Sequence, residues 1–363
     1  MRWYPDLSKE RVFSLFSPYK RLFSHLPPSD LDRRSLQLLP ELPTRNTKKD
    51  FGVICVNNVS KHFGKHVILH DVSLEIKPGS IFGLIGVSGS GKTTLLKLLI
   101  GFYKPTKGSI SFKDKVINKQ MNTIKRSFGF ATQTDCFYGK LNVEENIIYF
   151  GKLNGLTQDF IDAHMDNVLT LVGLTDARQT LAENLSKGMQ RRLDLACALI
   201  QDPSVLILDE PTEDLDPFLR REMLKLIKHI SQNGTTIIIT SHLLWEVEML
   251  CDQVAILAEG TVAQVGSPTA LKKAYTQDQE VYLESLPGKY EPLATLLRKQ
   301  LHKVKYLDHH VIFYTGEIDS FLPKLLTLLK KRKEKVIKLT VKQPSLSEVF
   351  QSLTRKKIHG KKH

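Results

Sequence analysis

A glycine-rich turn between an apolar run and an apolar-periodic segment contains residues whose types and spacing fit phosphate chemistry. Within GLIGVSGSGKTTLLKLL at 83–99, Gly86, Gly91, Lys92 and Thr93 match the pattern GxxxxGK[ST]. In this pattern the backbone N–H groups cradle phosphates beside a helix N-terminus, the lysine reaches the outer phosphates, and the hydroxyl ligates magnesium. The sequence therefore predicts a site for a nucleoside triphosphate and Mg²⁺. The loop residues predicted to contact the nucleotide are Gly86, Val87, Ser88, Gly89, Ser90, Gly91, Lys92, Thr93 and Thr94.

Three further apolar runs end in polar side chains that suit such a site. VLILDE at 205–210 ends in Asp209 and Glu210, and His242 follows the run at 235–240. Because ligands meet an open α/β sheet at the carboxyl ends of its strands, Asp209 is predicted to hold magnesium through its water shell and Glu210 to activate the attacking water. His242 is predicted to contact the γ-phosphate or Glu210, and Gln133, after FGFAT, to contact magnesium or the lytic water. The predicted catalytic residues are Glu210, His242 and Gln133, and the predicted metal ligands are Thr93, Gln133 and Asp209.

The elements that must position these residues are predicted from the apolar patterns. Short β-rich runs before the phosphate loop predict a small sheet that leads into the strand at 81–84. Later runs alternate with helical patterns, which predicts a parallel sheet covered on both faces. Residues 142–184 are predicted to be helical. The predicted strands lie at 53–56, 67–69, 72–76, 81–84, 127–133, 205–210, 235–240 and 253–260, with a hairpin at 109–117.

The segment after about residue 277 has a pattern of its own. Strand and helix signals follow one another there in the order β-α-β-β-α-β, which predicts a small ferredoxin-like accessory domain. A final helix at 344–354 and a basic tail, RKKIHGKKH, follow. The predicted organisation is an N-terminal extension at 1–50, a nucleotide-binding domain at 51–275, an accessory domain at 276–354 and the basic tail at 355–363.

The net charge of +14 belongs to the flanks of the nucleotide-binding domain. Residues 51–274 contain 24 basic and 23 acidic residues, whereas residues 275–363 contain 18 and 9. Contact with a polyanion or an anionic membrane is therefore assigned to the flanks, with a solvated lysine surface as the alternative. A short amphipathic helix is predicted after Pro18, followed by a linker at 29–50. This helix fits a membrane surface, a partner helix or its own domain.

Composition argues against several other classes of protein. No stretch approaches 18 consecutive apolar residues, and charges interrupt the first twenty residues, so neither a spanning helix nor a signal peptide is predicted. The four cysteines are scattered without CxxC spacing. They are predicted to be reduced thiols in a cytosolic setting rather than disulfides or metal ligands.

The order of these motifs resembles that of the ATP-binding-cassette (ABC) ATPases. LSKGMQRRL at 185–193 is similar to the signature loop of that family, with Ser186 and Gly188 matching and Lys187 and Met189 departing from LSGGQ. EDLDP at 213–217 resembles the dimer-contact loop, with Asp214 standing where glycine is common. Phe63 matches the aromatic residue that stacks on adenine, with a buried core phenylalanine as the alternative. PSLSEVF at 344–350 resembles the last helix of exporter subunits.

This resemblance implies a fold and a set of partners. The fold class is α/β: a P-loop NTPase ABC cassette with a parallel core sheet, an antiparallel β subdomain and a helical subdomain, followed by the small α+β domain. The implied activity is hydrolysis of ATP with Mg²⁺. Ser186 and Gly188 would contact the γ-phosphate bound by a second cassette, so a homodimer is expected. An integral membrane permease and peripheral association with the cytoplasmic face of the cell membrane are also implied.

Two functions remain open at this stage. The first is an ATPase subunit that powers a separately encoded transporter, with export as the direction that the resemblance favours. The alternative is a soluble cassette ATPase with a nucleic-acid or assembly role, in which the basic tail binds nucleic acid. Translation-type relatives usually carry two cassettes in one chain, and DNA-maintenance types split theirs with a coiled coil. This sequence shows neither feature, so a nucleic-acid partner is not favoured.

Overall fold

The computed structural model describes residues 52–117, 127–132, 136–275, 279–342 and 345–350. The amphipathic helix predicted after Pro18, the linker at 29–50, Gln133 and the basic tail at 355–363 lie outside the described residues. Among the described residues, no helix has both the length and the apolar content needed to cross a membrane.

The described residues form three sheets and the helices that pack on them. The strands are β1 (Ile54–Phe63), β2 (His66–Ile76), β3 (Ile81–Gly86), β4 (Lys107–Phe112), β5 (Lys115–Val116), β6 (Phe128–Ala131), β7 (Val205–Asp209), β8 (Thr236–Thr240), β9 (Gln253–Ala258), β10 (Thr261–Gly266), β11 (Gln279–Leu286), β12 (Lys303–Leu307), β13 (His310–Thr315) and β14 (Lys335–Lys342). The α-helices are α1 (Lys92–Leu99), α2 (Val143–Leu153), α3 (Gln158–Val172), α4 (Lys187–Leu199), α5 (Pro217–Gln232), α6 (Leu244–Leu250), α7 (Pro268–Tyr275), α8 (Tyr290–Leu297) and α9 (Ile318–Lys331).

The central sheet has the strand order β10-β9-β3-β8-β7-β6. Every neighbouring pair from β9 to β6 is parallel, which confirms the predicted parallel sheet. β3, β7 and β8 are buried along their whole length, as the continuous apolar runs require. The antiparallel edge strand β10 was not predicted. It is joined to β9 by Glu259 and Gly260, both at positive φ, which is the geometry of a tight two-residue hairpin.

A second sheet is antiparallel, has the order β2-β1-β4-β5 and shares an apolar core with strands of the central sheet. The two strands predicted at 67–69 and 72–76 are in fact one strand, β2. Polar His70 and Asp71 interrupt the apolar pattern, and Asp71 has φ 50°, yet pairing with β1 continues on either side at Leu69 and Val72. A local irregularity in one strand therefore resembles a loop in the sequence. The hairpin predicted at 109–117 is present as β4 and β5.

The helices α2, α3 and α4 form a helical region between β6 and β7. α2 and α3 lie in the stretch predicted to be helical at 142–184, whereas α4 was not predicted as a helix and includes residues 187–193 of the signature-like segment. A capping box begins α2, because Asn142 accepts from the Glu145 N–H while the Glu145 carboxylate accepts from the Asn142 N–H. Gly173 ends α3 in the left-handed conformation. Apolar residues of all three helices, such as Ile147 and Val168, lie in one core with one face of the central sheet.

The C-terminal sheet has the order β12-β13-β11-β14, is antiparallel throughout, and packs with α8 and α9 around a separate apolar core. The element order is the predicted β-α-β-β-α-β. The helical residues 346–350 that follow return to the nucleotide-binding domain, because Leu346 and Val349 are buried in its core. The Leu346 N–H donates to Glu248 on α6 at 3.2 Å. The domain boundaries at 50, 275 and 354 stay predictions.

Candidate nucleotide site

The phosphate loop joins β3 to α1 through two glycines at positive φ. Gly91, which precedes the first residue of α1, has φ 102°, and a Cβ there would lie 2.6 Å from Leu69 Cδ2. Gly89 has φ 78° and open space where a Cβ would be. The loop therefore needs glycine at these two positions for its conformation. The Ser90 hydroxyl is buried against Gly86 and has no hydrogen-bond partner among the described residues.

Lys92 is folded back over the loop. Its Nζ donates to the carbonyl oxygens of Gly86 at 2.9 Å and Val87 at 3.4 Å, and the residue is 7% exposed. Burial lowers the pKa of Lys92, while the charges of Glu210 and Asp209 act in the opposite direction. A cation held this way by two neutral carbonyls is able to exchange them for phosphate oxygens, which bind it more strongly.

Asp209 and Thr93 bring two oxygen ligands together at the end of β7. Asp209 Oδ2 accepts from the Thr93 hydroxyl at 3.2 Å, and Oδ1 accepts from the Thr240 hydroxyl at 2.6 Å. A hydroxyl and a carboxylate beside a phosphate loop are ligands that Mg²⁺ prefers, so the residues present fit this ion. Thr240 was missed in the sequence. Its signal was a hydroxyl at the carboxyl end of an apolar strand.

Glu210 and His242 face each other across the ends of β7 and β8. Glu210 is 5% exposed, has φ 52°, and donates its N–H to Thr240 Oγ1 at 3.0 Å. Its Oε2 accepts from the His242 N–H at 2.9 Å, and His242 Nε2 lies 3.1 Å from Oε1. Burial raises the pKa of Glu210, although His242 and Lys92 act in the opposite direction. A carboxylate with a raised pKa is better suited to accept a proton than an ordinary one.

Phe63, the predicted adenine contact, lies at the end of β1. Its ring is 40% exposed, which excludes the buried-core alternative. It packs edge-to-face on Tyr103 with ring centroids 5.0 Å apart, and Lys61 Nζ lies 4.8 Å from its centroid. An exposed aromatic face offers a surface on which a flat base can stack. Its contact with adenine stays a prediction.

The signature-like loop is built on a different element. Ser186 caps α4 by accepting from the Met189 N–H at 3.3 Å. Gly188 packs so close to α5 that a Cβ would lie 2.8 Å from Leu219 Cδ1. Neither residue has a hydrogen bond to Asp209 or Glu210 among the described residues.

The loop at 213–217 leads directly into α5. Asp216 caps this helix by accepting from the N–H groups of Phe218 and Leu219. Asp214 has φ 59°, which accounts for the glycine that is common at this position in the ABC family. Aspartate tolerates this conformation better than most residues, so the substitution keeps the turn.

The structure brings some predicted site residues together and separates others. Thr93, Asp209, Glu210 and His242 form one hydrogen-bonded group through Thr240, with Lys92 close enough to act on both carboxylates. Ser186 and Gly188 lie outside this group, as the paired-site prediction requires. Gln133 lies outside the described residues. The catalytic and binding roles of all these residues stay predictions.

Comparison with known proteins places the chain among transport ATPases. A family model described as "ABC transporter" matches residues 69–213. The linearmycin resistance ATP-binding protein LnrL of Bacillus subtilis (strain 168) is 31% identical over 301 residues, which cover 82% of this chain and 96% of that protein. The Nod factor export ATP-binding protein I of Rhizobium sp. (strain N33) is 31% identical over 300 residues, which cover 83% of this chain and 96% of that protein.

Solved structures agree with the sequence comparisons. The structure of cbiO1 from Clostridium perfringens, described as part of the ABC transporter complex cbiONQ, has a TM-score of 0.57 and 28% identity, covering 69% of this chain and 96% of that one. A structure described as the ATP binding subunit of an ABC transporter has a TM-score of 0.56 and 26% identity, covering 61% of this chain and 93% of that one. These similarities confirm the predicted cassette fold.

Proposed function

The chain belongs to the family of ABC transporter ATP-binding proteins, and from this premise we propose that it powers a transporter whose membrane-spanning subunit is a separate protein. ATP binding and ATP hydrolysis follow from the family. The observation that carries the proposal is the hydrogen-bonded group of Thr93, Asp209, Thr240, Glu210 and His242 at the ends of β7 and β8. The names of the relatives support transport over a nucleic-acid or assembly role.

Within the site, we propose distinct roles for the residues around the triphosphate. The N–H groups of the loop at 86–94 bind the phosphates, and Lys92 leaves the Gly86 and Val87 carbonyls to contact the outer ones. Thr93 and Asp209 hold Mg²⁺, which neutralises charge on the phosphate oxygens when it is bound. Phe63 stacks on adenine.

Glu210 is proposed to accept a proton from the attacking water. Its raised pKa and buried position favour this role, and the contact of His242 Nε2 with Glu210 Oε1 at 3.1 Å keeps the carboxylate oriented. Gln133 is proposed to contact Mg²⁺ or the lytic water. Thr240, at the end of β8, hydrogen-bonds to Asp209 and Glu210 at the end of β7. Proton transfer therefore depends on how these two strand ends are held together.

The second half of the site is proposed to come from another cassette. Ser186 and Gly188 are tied to their own helix and to Leu219, not to the group around Glu210. In a homodimer the signature-like loop of one protomer would meet the γ-phosphate bound by its partner. The cassette pair would associate with the membrane through an integral permease at the cytoplasmic face. Export is the direction proposed, because the Nod factor relatives are named for it.

Affinity purification of the full chain from detergent-solubilised membranes tests this proposal. We expect a protein with several apolar segments of about 20 residues to co-purify, and the complex to hydrolyse ATP. Lys92→Ala is the matched control, because it should retain the partner and lose hydrolysis. Recovery of the chain without any membrane protein, together with ATPase activity that nucleic acid stimulates at about 200 mM salt, would favour the alternative function.

A further inference from the structure

Glu246 is a buried carboxylate in the first turn of α6, one helical turn beyond His242. The residue is 1% exposed. Its Oε2 accepts hydrogen bonds from the Thr212 hydroxyl at 2.8 Å and from the Ser241 hydroxyl at 2.7 Å. Thr212 lies two residues after Glu210, and Ser241 immediately precedes His242. A single carboxylate oxygen therefore joins the two loops that carry the proposed base and its histidine partner.

The other oxygen of Glu246 connects to a third segment. Arg220 Nε on α5 lies 3.3 Å from Glu246 Oε1. The same guanidinium donates from Nη2 to the Leu215 carbonyl at 3.0 Å, in the loop at 213–216. A buried carboxylate is costly unless hydrogen bonds and a cation compensate it, and here each compensating group comes from a different loop or helix. Loss of the carboxylate would leave all three segments without their common partner.

None of these contacts involves a group that would meet the nucleotide directly. Thr212 and Ser241 are one or two residues away from Glu210 and His242, and the 3.1 Å approach of His242 Nε2 to Glu210 Oε1 depends on where the two loops sit. Misplacement of a reacting group by about 1 Å is able to cost about 100-fold in rate. A carboxylate that fixes both loops is therefore in a position to control turnover without touching substrate.

We propose that Glu246 is a positioning residue that sets the distance between Glu210 and His242 and links it to the loop at 213–216. This inference rests on the roles proposed above for Glu210 and His242. It assigns to α6 a function in the site beyond packing, and it explains why a carboxylate occupies a buried position on a short helix.

Glu246→Gln tests the inference, because it keeps the shape of the side chain and removes its charge. At saturating ATP we expect turnover to fall about 10- to 100-fold. The Kd for ATP should stay within about threefold of the parent, because no proposed nucleotide contact is changed. A split of this kind between kcat and Kd is not expected from a packing role alone.

Glu248→Gln is the matched control on the same helix. Glu248 has an ion pair with Lys272 and accepts from the Leu346 N–H, so it faces the C-terminal helix and not the site. We expect its turnover to stay within about twofold of the parent, with a smaller change in thermal stability than in Glu246→Gln, because the Glu248 side chain is partly exposed.

A double-mutant cycle separates direct coupling from general damage. Ser241→Ala removes one of the hydroxyl donors and should lower kcat by itself. Combined with Glu246→Gln it should cost less than the product of the two single effects, because Ser241→Ala removes the same hydrogen bond that Glu246→Gln weakens by removing the charge of its acceptor. Its combination with Glu248→Gln should be multiplicative. If Glu246→Gln does not fold, Thr212→Val replaces it in the cycle with Ser241→Ala, since Thr212 donates to the same oxygen.

The outcomes distinguish this inference from the proposed function. Glu210→Gln is measured in parallel, and hydrolysis at the parent's rate by that variant contradicts the proposed site as a whole. An inactive Glu210→Gln beside a Glu246→Gln that hydrolyses ATP at the parent's rate overturns only the positioning role. Multiplicative effects in the Glu246 and Ser241 cycle also overturn it.

Discussion

Glu210 in the cassette and Glu334 in the C-terminal domain are both buried glutamates next to a β-strand. Their surroundings shift the carboxylate pKa in opposite directions. Glu334 accepts from the N–H groups of Gly288 and Lys289 and from the Ser285 hydroxyl, all within 3.0 Å. Burial acts to raise the pKa of Glu334, but these donors hold it below its usual value. At Glu210, burial prevails and the pKa is raised.

Hydrogen-bond donors distinguish a carboxylate that stabilises the fold from one that is suited to chemistry. Three donors satisfy the Glu334 carboxylate, so its negative charge stabilises the loop that joins β11 to α8. Among the described residues, the Glu210 carboxylate accepts one hydrogen bond, from the His242 N–H, and its other oxygen lies 3.1 Å from His242 Nε2 without a hydrogen bond. Its buried charge therefore costs stability and favours uptake of a proton. A buried charge that destabilises the fold is expected at a catalytic site, where the reaction requires it, and not at a purely structural position.

The largest expected effect is on the turnover of ATP when the charge of the Glu210 carboxylate is removed. Glu210→Gln should lower ATP hydrolysis by about 100-fold or more, because the proposed base is lost. Glu334→Gln, in which a buried glutamate of the other domain is changed in the same way, should hydrolyse ATP at close to the parent's rate. Equal losses in the two variants would remove the distinction between the two glutamates.

Lys92, the buried cation near Glu210, is expected to affect ATP binding. Lys92→Ala should weaken ATP binding about 10- to 100-fold, because charge-assisted hydrogen bonds to phosphate are lost. The fold should be retained, since the partners of Lys92 in the described part of the chain are the carbonyls of Gly86 and Val87 at the phosphate loop. Equilibrium binding of ATP measures this, with Lys225→Ala on the surface of α5 as the control. Parent-like binding and hydrolysis by Lys92→Ala would show that the phosphate site is wrongly assigned.

Replacing Glu334 should lower the free energy of unfolding, whereas replacing Glu210 should lower the rate of ATP hydrolysis. Glu334→Ala leaves the buried Ser285 hydroxyl and two partly buried N–H donors without this partner, which should cost about 1–3 kcal/mol of unfolding free energy in the C-terminal domain. Urea unfolding followed by a probe in that domain measures the loss, and ATP binding serves as the control. Unchanged stability would mean that the hydrogen bonds of Glu334 contribute nothing net.

The two glutamates should also give opposite pH dependences of thermal stability without nucleotide. Since the pKa of Glu334 is lowered, its stabilisation is complete above the usual glutamate value of about 4.3 and is lost as pH falls through the lower folded value. Since the pKa of Glu210 is raised, its charge destabilises the parent at neutral pH, and this penalty disappears as pH falls through the raised value.

Thermal unfolding between neutral and mildly acidic pH tests these signs. Glu210→Gln should be slightly more stable than the parent at neutral pH, with the difference shrinking on acidification toward about pH 4.3. Glu334→Gln should be less stable than the parent across the same range. A Glu210→Gln protein that is less stable than the parent at neutral pH would contradict the raised pKa.

Local structure is predicted correctly from the sequence where a single physical requirement determines the residue type at a position. The phosphate loop needs glycine at positive φ, and β7 and β8 need continuous apolar runs because both faces are covered. In the C-terminal domain, the runs QEVYLESL and KVKYL predict two strands, and β11 and β12 begin and end at the ends of these runs. These signals are local and therefore visible without the fold.

Long-range partnerships were not visible. Glu246 resembles any helical glutamate in the sequence, and only folding reveals that it meets Thr212 and Ser241. Likewise, nothing local shows that Leu346 packs in the cassette core and not in the C-terminal domain. The pairing of Asp209 with Thr240 also depends on two strands that are adjacent in the sheet but 31 residues apart in the chain. Such contacts follow from strand order, which a single sequence does not specify.

Sedimentation of Glu210→Gln with ATP and Mg²⁺ tests the central claim that one cassette holds only half of a working site. With hydrolysis blocked, ATP should remain bound and bridge two protomers, so this variant should sediment as a dimer that contains two nucleotides. Adding Ser186→Arg should return it to a monomer, because the signature-like loop is then blocked, whereas adding Glu334→Gln should leave the dimer intact. A Glu210→Gln protein that binds ATP and remains monomeric at micromolar concentration, both alone and with its membrane partner, would contradict the account.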